Sequence, residues 1–213
     1  MKKTLLISVF AFCNYLAFGQ HNIALTFSGG ISTINNIQTE GTLIDGYIYS
    51  GKSSYSIGTK YIYAADSNIS HLISPFIGVR LLNTSNTFEN PPDFPTQIDP
   101  VTLRLYYLEI PLGVDINIYK NIKLNLSYNY LIRTRINNKD NFGSFFYMDY
   151  QGTYSEQMIQ GGISYSFKRF TIGVNYGKTL TPIRKSELWA SLGNEHYQKI
   201  KNISFNYSIF SSK

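Results

Sequence analysis

The sequence predicts an all-β fold: an eight-stranded, antiparallel, up-and-down transmembrane β-barrel. Three observations lead there. Apolar residues recur at every second position in run after run, the period of a strand with one apolar and one polar face. The connections between runs alternate short and long, as in barrels with short periplasmic turns and long external loops. The composition suits half-buried pleated surfaces, with 18 Tyr and 14 Phe but one Trp, and only 15% charged residues against about 25% in an ordinary soluble domain. A length of 213 residues fits one domain, and a mean hydropathy of −0.14 excludes a bundle of transmembrane helices.

The chain opens on a targeting pattern. Lys2 and Lys3 precede an apolar stretch over 5–12, extended with interruptions to Phe18, and Ala17-Phe18-Gly19 places small residues at −3 and −1 before Gln20. This reads as a secretory signal peptide over residues 1–19, leaving 20–213 as the barrel domain. Cys13 is the single cysteine and follows Phe12, not the small residue that a lipoprotein signal needs. The mature chain is then expected to use no disulfide, thiolate nucleophile or cysteine-held metal. Without Lys2 and Lys3, 17 Lys and Arg remain against 13 Asp and Glu. They are scattered and form no basic run, so a solvated or headgroup-facing surface is expected and no nucleic-acid partner.

Each strand has its own evidence. Strand 1 sets Ile23, Leu25 and Phe27 against Ala24, Thr26 and Ser28. Strand 2 is weaker, with Tyr55, Ile57, Tyr61 and Tyr63 on one side. Strand 3, near 71–82, is apolar on both faces, so periodicity leaves its phase open. Strand 4 is the clearest: the even positions from Tyr106 to Ile118 are all apolar, while Tyr107, Glu109, Pro111, Gly113, Asp115 and Asn117 interleave. Strand 5 alternates Ile122, Leu124, Leu126, Tyr128, Tyr130 and Ile132 with Lys123, Asn125, Ser127, Asn129, Leu131 and Arg133. Strands 6, 7 and 8 carry Ile159, Ile163, Tyr165, Phe167; Phe170, Ile172, Val174, Tyr176; and Ile203, Phe205, Tyr207, Ile209 on their apolar faces.

The short connections are 64–70, 119–121 and 168–169; the long ones run over about 33–52, 83–101, 137–156 and 181–199. Parity agrees. A two-residue hairpin at Lys168-Arg169 pairs Phe167 with Phe170, and a three-residue connection at 119–121 pairs Ile118 with Ile122, each joining apolar to apolar. Twelve steps from Tyr106 to Ile118 make about 40 Å of strand, or roughly 28 Å of height at a tilt of about 45°. That matches a membrane band, so the apolar rows are expected to face lipid, with a soluble lipocalin-like ligand carrier as the alternative.

Tyr107-Leu108-Glu109-Ile110-Pro111-Leu112-Gly113-Val114 resembles the "YLEIP" segment of the small outer-membrane barrels common in Bacteroidetes, the PorT-like or OmpX-like family. Gln160-Gly161-Gly162-Ile163-Ser164-Tyr165 and Gly173-Val174-Asn175-Tyr176-Gly177 are similar to later stretches of that family. The chain departs from a common barrel pattern by ending Ser211-Ser212-Lys213, with the last aromatic, Phe210, set back. The resemblance implies residence in the outer membrane of a Gram-negative cell more than it implies a mechanism.

Little in the residues points to chemistry. His21, His71 and His196 lie far apart, without metal-ligand spacing, so no metal site or cofactor is expected. Ser70-His71 and Glu195-His196 are the best offers for a lipid-A-modifying enzyme, but topology sends them to opposite ends of the barrel. No catalytic residues are therefore expected. Loop 3 gathers Phe142, Phe145, Phe146, Tyr147 and Tyr150, and loop 2 is stiffened by Pro91, Pro92 and Pro95, which makes the external loops the candidate interaction surface. Inside, Glu109 is expected to pair with Arg133, or with another inward cation such as Arg80. The sequence thus predicts a non-enzymatic integral outer-membrane barrel, with lipid and an external or envelope protein as partners. An accessory role in envelope transport or secretion is the nearest alternative.

Overall fold

The computed structural model describes residues 20–37, 48–64, 72–89, 101–138, 155–181 and 195–211. Eight strands make up nearly all of this: β1 Gln20–Ile37, β2 Ile48–Ala64, β3 Ile73–Glu89, β4 Val101–Tyr119, β5 Ile122–Asn138, β6 Ser155–Phe167, β7 Phe170–Thr179 and β8 Glu195–Ser211. Each pairs antiparallel with the next, and β8 pairs with β1 to close the barrel.

The register fixes the geometry. Stepping from strand to strand through directly paired residues leads from Ile23 to Tyr61, Ile77, Leu112, Tyr128, Ile159, Lys178, Lys199 and back to β1 at Thr33. The circuit returns ten residues further along β1, which is the shear of the barrel. With about 3.3 Å per residue and about 4.8 Å between strands, a shear of ten over eight strands tilts them by roughly 40°.

The predicted faces hold. Leu112, Leu126, Ile163, Val174 and Phe205 are exposed on the outside, while Asp115, Asn129 and Ser164 on the interleaved positions are buried inside. For β3 the outward set is Ile73, Ile77, Val79 and Leu81. Its inward set was hard to read because two large apolar residues belong to it: Phe76 lies under the Lys60 ammonium at 3.6 Å, and Leu82 is buried. On β2, Tyr63 falls on the outward row but is buried beside the His21 ring.

Two expectations need correcting. The β4–β5 connection is a two-residue turn, Lys120-Asn121, with Tyr119 opposite Ile122; the register shifts between Asn117 and Tyr119, so Ile118 does not pair with Ile122. Lys120 turns the chain with φ 41°, and Lys168 does the same between β6 and β7 with φ 52°. The strands also run further than expected toward the long-connection end, with β3 continuing to Glu89 and β8 starting at Glu195. Past Leu81 the alternation ends while backbone pairing continues: Asn83, Ser85 and Thr87 follow Leu81 on the outward parity, yet they are polar and buried, and so are the inward Thr84 and Asn86.

Pro111 sits in a closed sheet without an amide to donate. The β3–β4 ladder is paired at Ile77 with Leu112 and resumes at Arg80 with Glu109 in the same register, and Gly78 lies against the Pro111 ring. The missing donor is thus accommodated opposite the smallest residue.

Candidate functional site

The inward residues form a lumen filled by the chain's own side chains. Near the short-turn end, Lys60 from β2 reaches both carboxylate oxygens of Asp115 on β4, at 2.7 and 2.9 Å. The Asn125 amide donates to the same carboxylate at 2.7 Å.

Midway, Arg80 donates to Glu109 at 2.6 Å, and the Asn129 amide adds a second bond to that oxygen at 2.6 Å. Asn129 also donates to Gln160 at 3.0 Å, tying β6 into the group. Above them Arg133 pairs with Glu156, which also accepts from the Tyr107 hydroxyl at 2.9 Å. Glu109 and Arg133 therefore both face inward but do not pair with each other. Each takes its partner from the strand on its far side, Arg80 on β3 and Glu156 on β6.

An apolar layer shares the upper level. Leu103, Leu105, Tyr107, Leu131, Met158, Ile200, Ile34 and Leu82 form one buried cluster inside the barrel. Beside it, the Gln198 amide bridges Ser32 and Thr84, each at 2.7 Å. Lower down lies a cavity of about 50 Å³, lined by polar groups including Lys60, Arg80, Asn125 and Gln160, with room for a few waters.

This arrangement has the character of a structural core. Every carboxylate whose side chain is described, Glu109, Asp115 and Glu156, is buried and bonded to a cation. No cluster of three or more metal-ligating side chains occurs among the described residues. His21 lies on the outward face at the short-turn end, its Nδ1 2.5 Å from the Tyr61 hydroxyl. Ser70, His71 and the loop aromatics Phe142, Phe145, Phe146, Tyr147 and Tyr150 lie outside the described residues, as do the prolines of loop 2.

Sequence reasoning missed the apolar layer and Glu156. Leu103 and Leu105 continue the inward parity of Tyr107, so extending strand 4 backwards would have found them. Glu156 falls in the connection expected over 137–156, although it keeps the parity of Met158 and Gln160.

No family model and no curated protein matches the sequence. Among solved structures, Neisserial surface protein A is similar, with a TM-score of 0.50 and 10% identity over 88% of this chain and 97% of that one. Ail, the attachment invasion locus protein of Yersinia pestis, aligns at TM-score 0.41 and 11% identity over 90% of this chain and 99% of that one. The outer membrane protein OprG from Pseudomonas aeruginosa aligns at 0.37 and 13% over 87% and 95%. At these identities the likeness is one of fold. Together, closure into a barrel, an outward apolar belt and a polar interior are the properties of an integral outer-membrane β-barrel.

Proposed function

We propose that this integral outer-membrane barrel is non-enzymatic and non-conducting, and acts through its outer wall and its external connections. The observation that carries this reading is the sealed interior: three ion pairs and an apolar layer occupy the space a pore or an active site would need. The strand ends that flank 38–47, 90–100, 139–154 and 180–194 lie at one end of the barrel, and those that flank 65–72, 120–121 and 168–169 at the other. The aromatic stretch 142–150 falls in the longest of these connections and is the natural place for an envelope or external protein partner.

Two further readings belong here. Residues 1–19 act as a cleaved signal peptide. The chain is a member of the small Bacteroidetes barrels, a reading supported by how its motif is used: Tyr107, Glu109 and Pro111 face the lumen, while Leu108 and Ile110 face out. Membrane fractionation, with gels of boiled and unboiled samples, tests the main reading. The expected protein needs detergent for extraction and shifts its band on boiling. A protein released without detergent would support the soluble-carrier alternative instead. N-terminal sequencing of the extracted chain, expected to begin at Gln20, tests the signal peptide.

A further inference from the structure

Three lysines stand on the outward wall where the apolar belt approaches the long-connection end. Lys178 on β7 and Lys199 on β8 are directly paired across the sheet, and Lys201 follows one outward position below, paired with Tyr176. Lys178 and Lys201 are exposed and Lys199 half-exposed. Directly opposed like charges destabilise a sheet, and cations on a lipid-facing wall add to the cost. Nothing described on this face offsets it with charge: the carboxylates whose side chains are described all face the lumen. The Tyr197 ring lies 6.0 Å from the Lys178 ammonium and offers only a weak contact.

Toward the membrane centre from these lysines the wall is hollowed. Gly29 on β1 and Gly161 on β6 both point outward, where an added Cβ at Gly29 would meet nothing within 4 Å and one at Gly161 only a Leu126 methyl at 3.5 Å and a carbonyl at 3.9 Å. Two apolar grooves result, sharing Gly161 and Tyr176. One is headed by Lys178 and the other by Lys201.

We propose that this wall is a binding site for a phosphorylated, multiply acylated lipid of the outer leaflet, whose phosphates neutralise Lys178, Lys199 and Lys201 and whose acyl chains lie in the two grooves. The charge of the lysines selects an anionic headgroup, and the paired grooves beneath select a lipid with several chains over a soluble phosphate or a second copy of the barrel. The inference rests on the membrane reading above.

Native mass spectrometry of the membrane-extracted protein, with bisphosphorylated lipid A as probe, tests it. Folding of each sample is established first by the band shift on boiling. Adducts are expected with lipid A in preference to its dephosphorylated form and to phosphatidylcholine, and inorganic phosphate is expected not to displace them. The triple change Lys178→Gln, Lys199→Gln and Lys201→Gln is expected to weaken binding about 100-fold, given the usual strength of a lysine at an anionic lipid surface. The triple change Lys120→Gln, Lys168→Gln and Arg169→Gln at the opposite rim is expected to leave binding unchanged. Gly161→Leu, which fills both grooves and keeps the charges, is expected to reduce retention of the acylated probe. Equal uptake of the dephosphorylated lipid, equal loss from the opposite-rim triple, or a dimer that excludes lipid would overturn the site. A barrel that shifts on boiling yet shows no selectivity defeats this proposal alone; one that shows no shift and needs no detergent defeats the membrane reading with it.

Discussion

Arg80 and Glu109 face each other directly across the β3–β4 seam, guanidinium to carboxylate at 2.6 Å, with the Asn129 amide from β5 closing on the same oxygen. Both side chains are largely withdrawn from solvent. Removing one member of such a pair leaves a buried charge uncompensated, which typically costs about 3–5 kcal/mol, whereas removing both costs less. Glu109→Gln and Arg80→Met are each expected to destabilise the barrel by that order, and the double variant to recover part of the loss. Urea unfolding in detergent micelles measures this. Arg133→Met combined with Glu109→Gln is expected to show no recovery, because Arg133 belongs to Glu156.

The apolar layer makes a second expectation specific. With Leu105 and Leu131 fully buried within the lumen, planar-bilayer recordings should show no stable, large ion conductance. A reproducible conducting step from purified wild-type protein would mean that the interior opens.

The two faces of β4 can be compared at neighbouring residues. Leu112 is exposed on the lipid side, and Leu112→Arg is expected to cost about 2–4 kcal/mol, the cost of a cation near the bilayer midplane. Gly113 faces in, and any Cβ there would stand 2.2 Å from the Leu126 carbonyl and 2.6 Å from the Phe76 ring. Gly113→Ser is therefore expected to cost about 1–3 kcal/mol by overpacking, not to be tolerated. Gly29→Ser, open on the lipid side, should change stability little. Micelle unfolding of the three variants, side by side, checks the order.

Lys168 adopts φ 52° at the β6–β7 turn, where an L side chain crowds the following carbonyl. Lys168→Gly is expected to relieve about 1 kcal/mol of this strain, partly offset by the greater freedom of the unfolded chain. A raised unfolding midpoint without a change of slope would agree; a lowered midpoint would mean that the lysine side chain contributes more than its backbone costs.

The architecture was legible in the sequence wherever a strand separates two different media. Between lipid and lumen, one residue in two must be apolar, so the faces of β4 through β8 could be read residue by residue. Legibility failed where that contrast stops. Past Leu81 both parities of β3 are polar and buried from Asn83 to Thr87, so no apolar alternation marks the strand. The inward Leu103 and Leu105 broke the polar rule on the other side. The ion pairs were half-legible for a related reason. Glu109 was plainly inward, with Arg133 and Arg80 both within its expected reach, but the open phase of β3 gave no ground for preferring Arg80.

The pairing of β1 with β8 has a kinetic consequence. The residues that seal the cylinder, Asn22–Ile37 with Glu195–Ser211, are the most distant of the described segments along the chain. Until they meet, the growing sheet has two bare edges and a wall of Ile, Val and Phe turned toward water. Contacts of such long sequence separation form slowly, and the open sheet is prone to stick to others of its kind. Safe delivery of this chain therefore calls for escort in transit and a site of insertion where the last seam can be stitched within the bilayer.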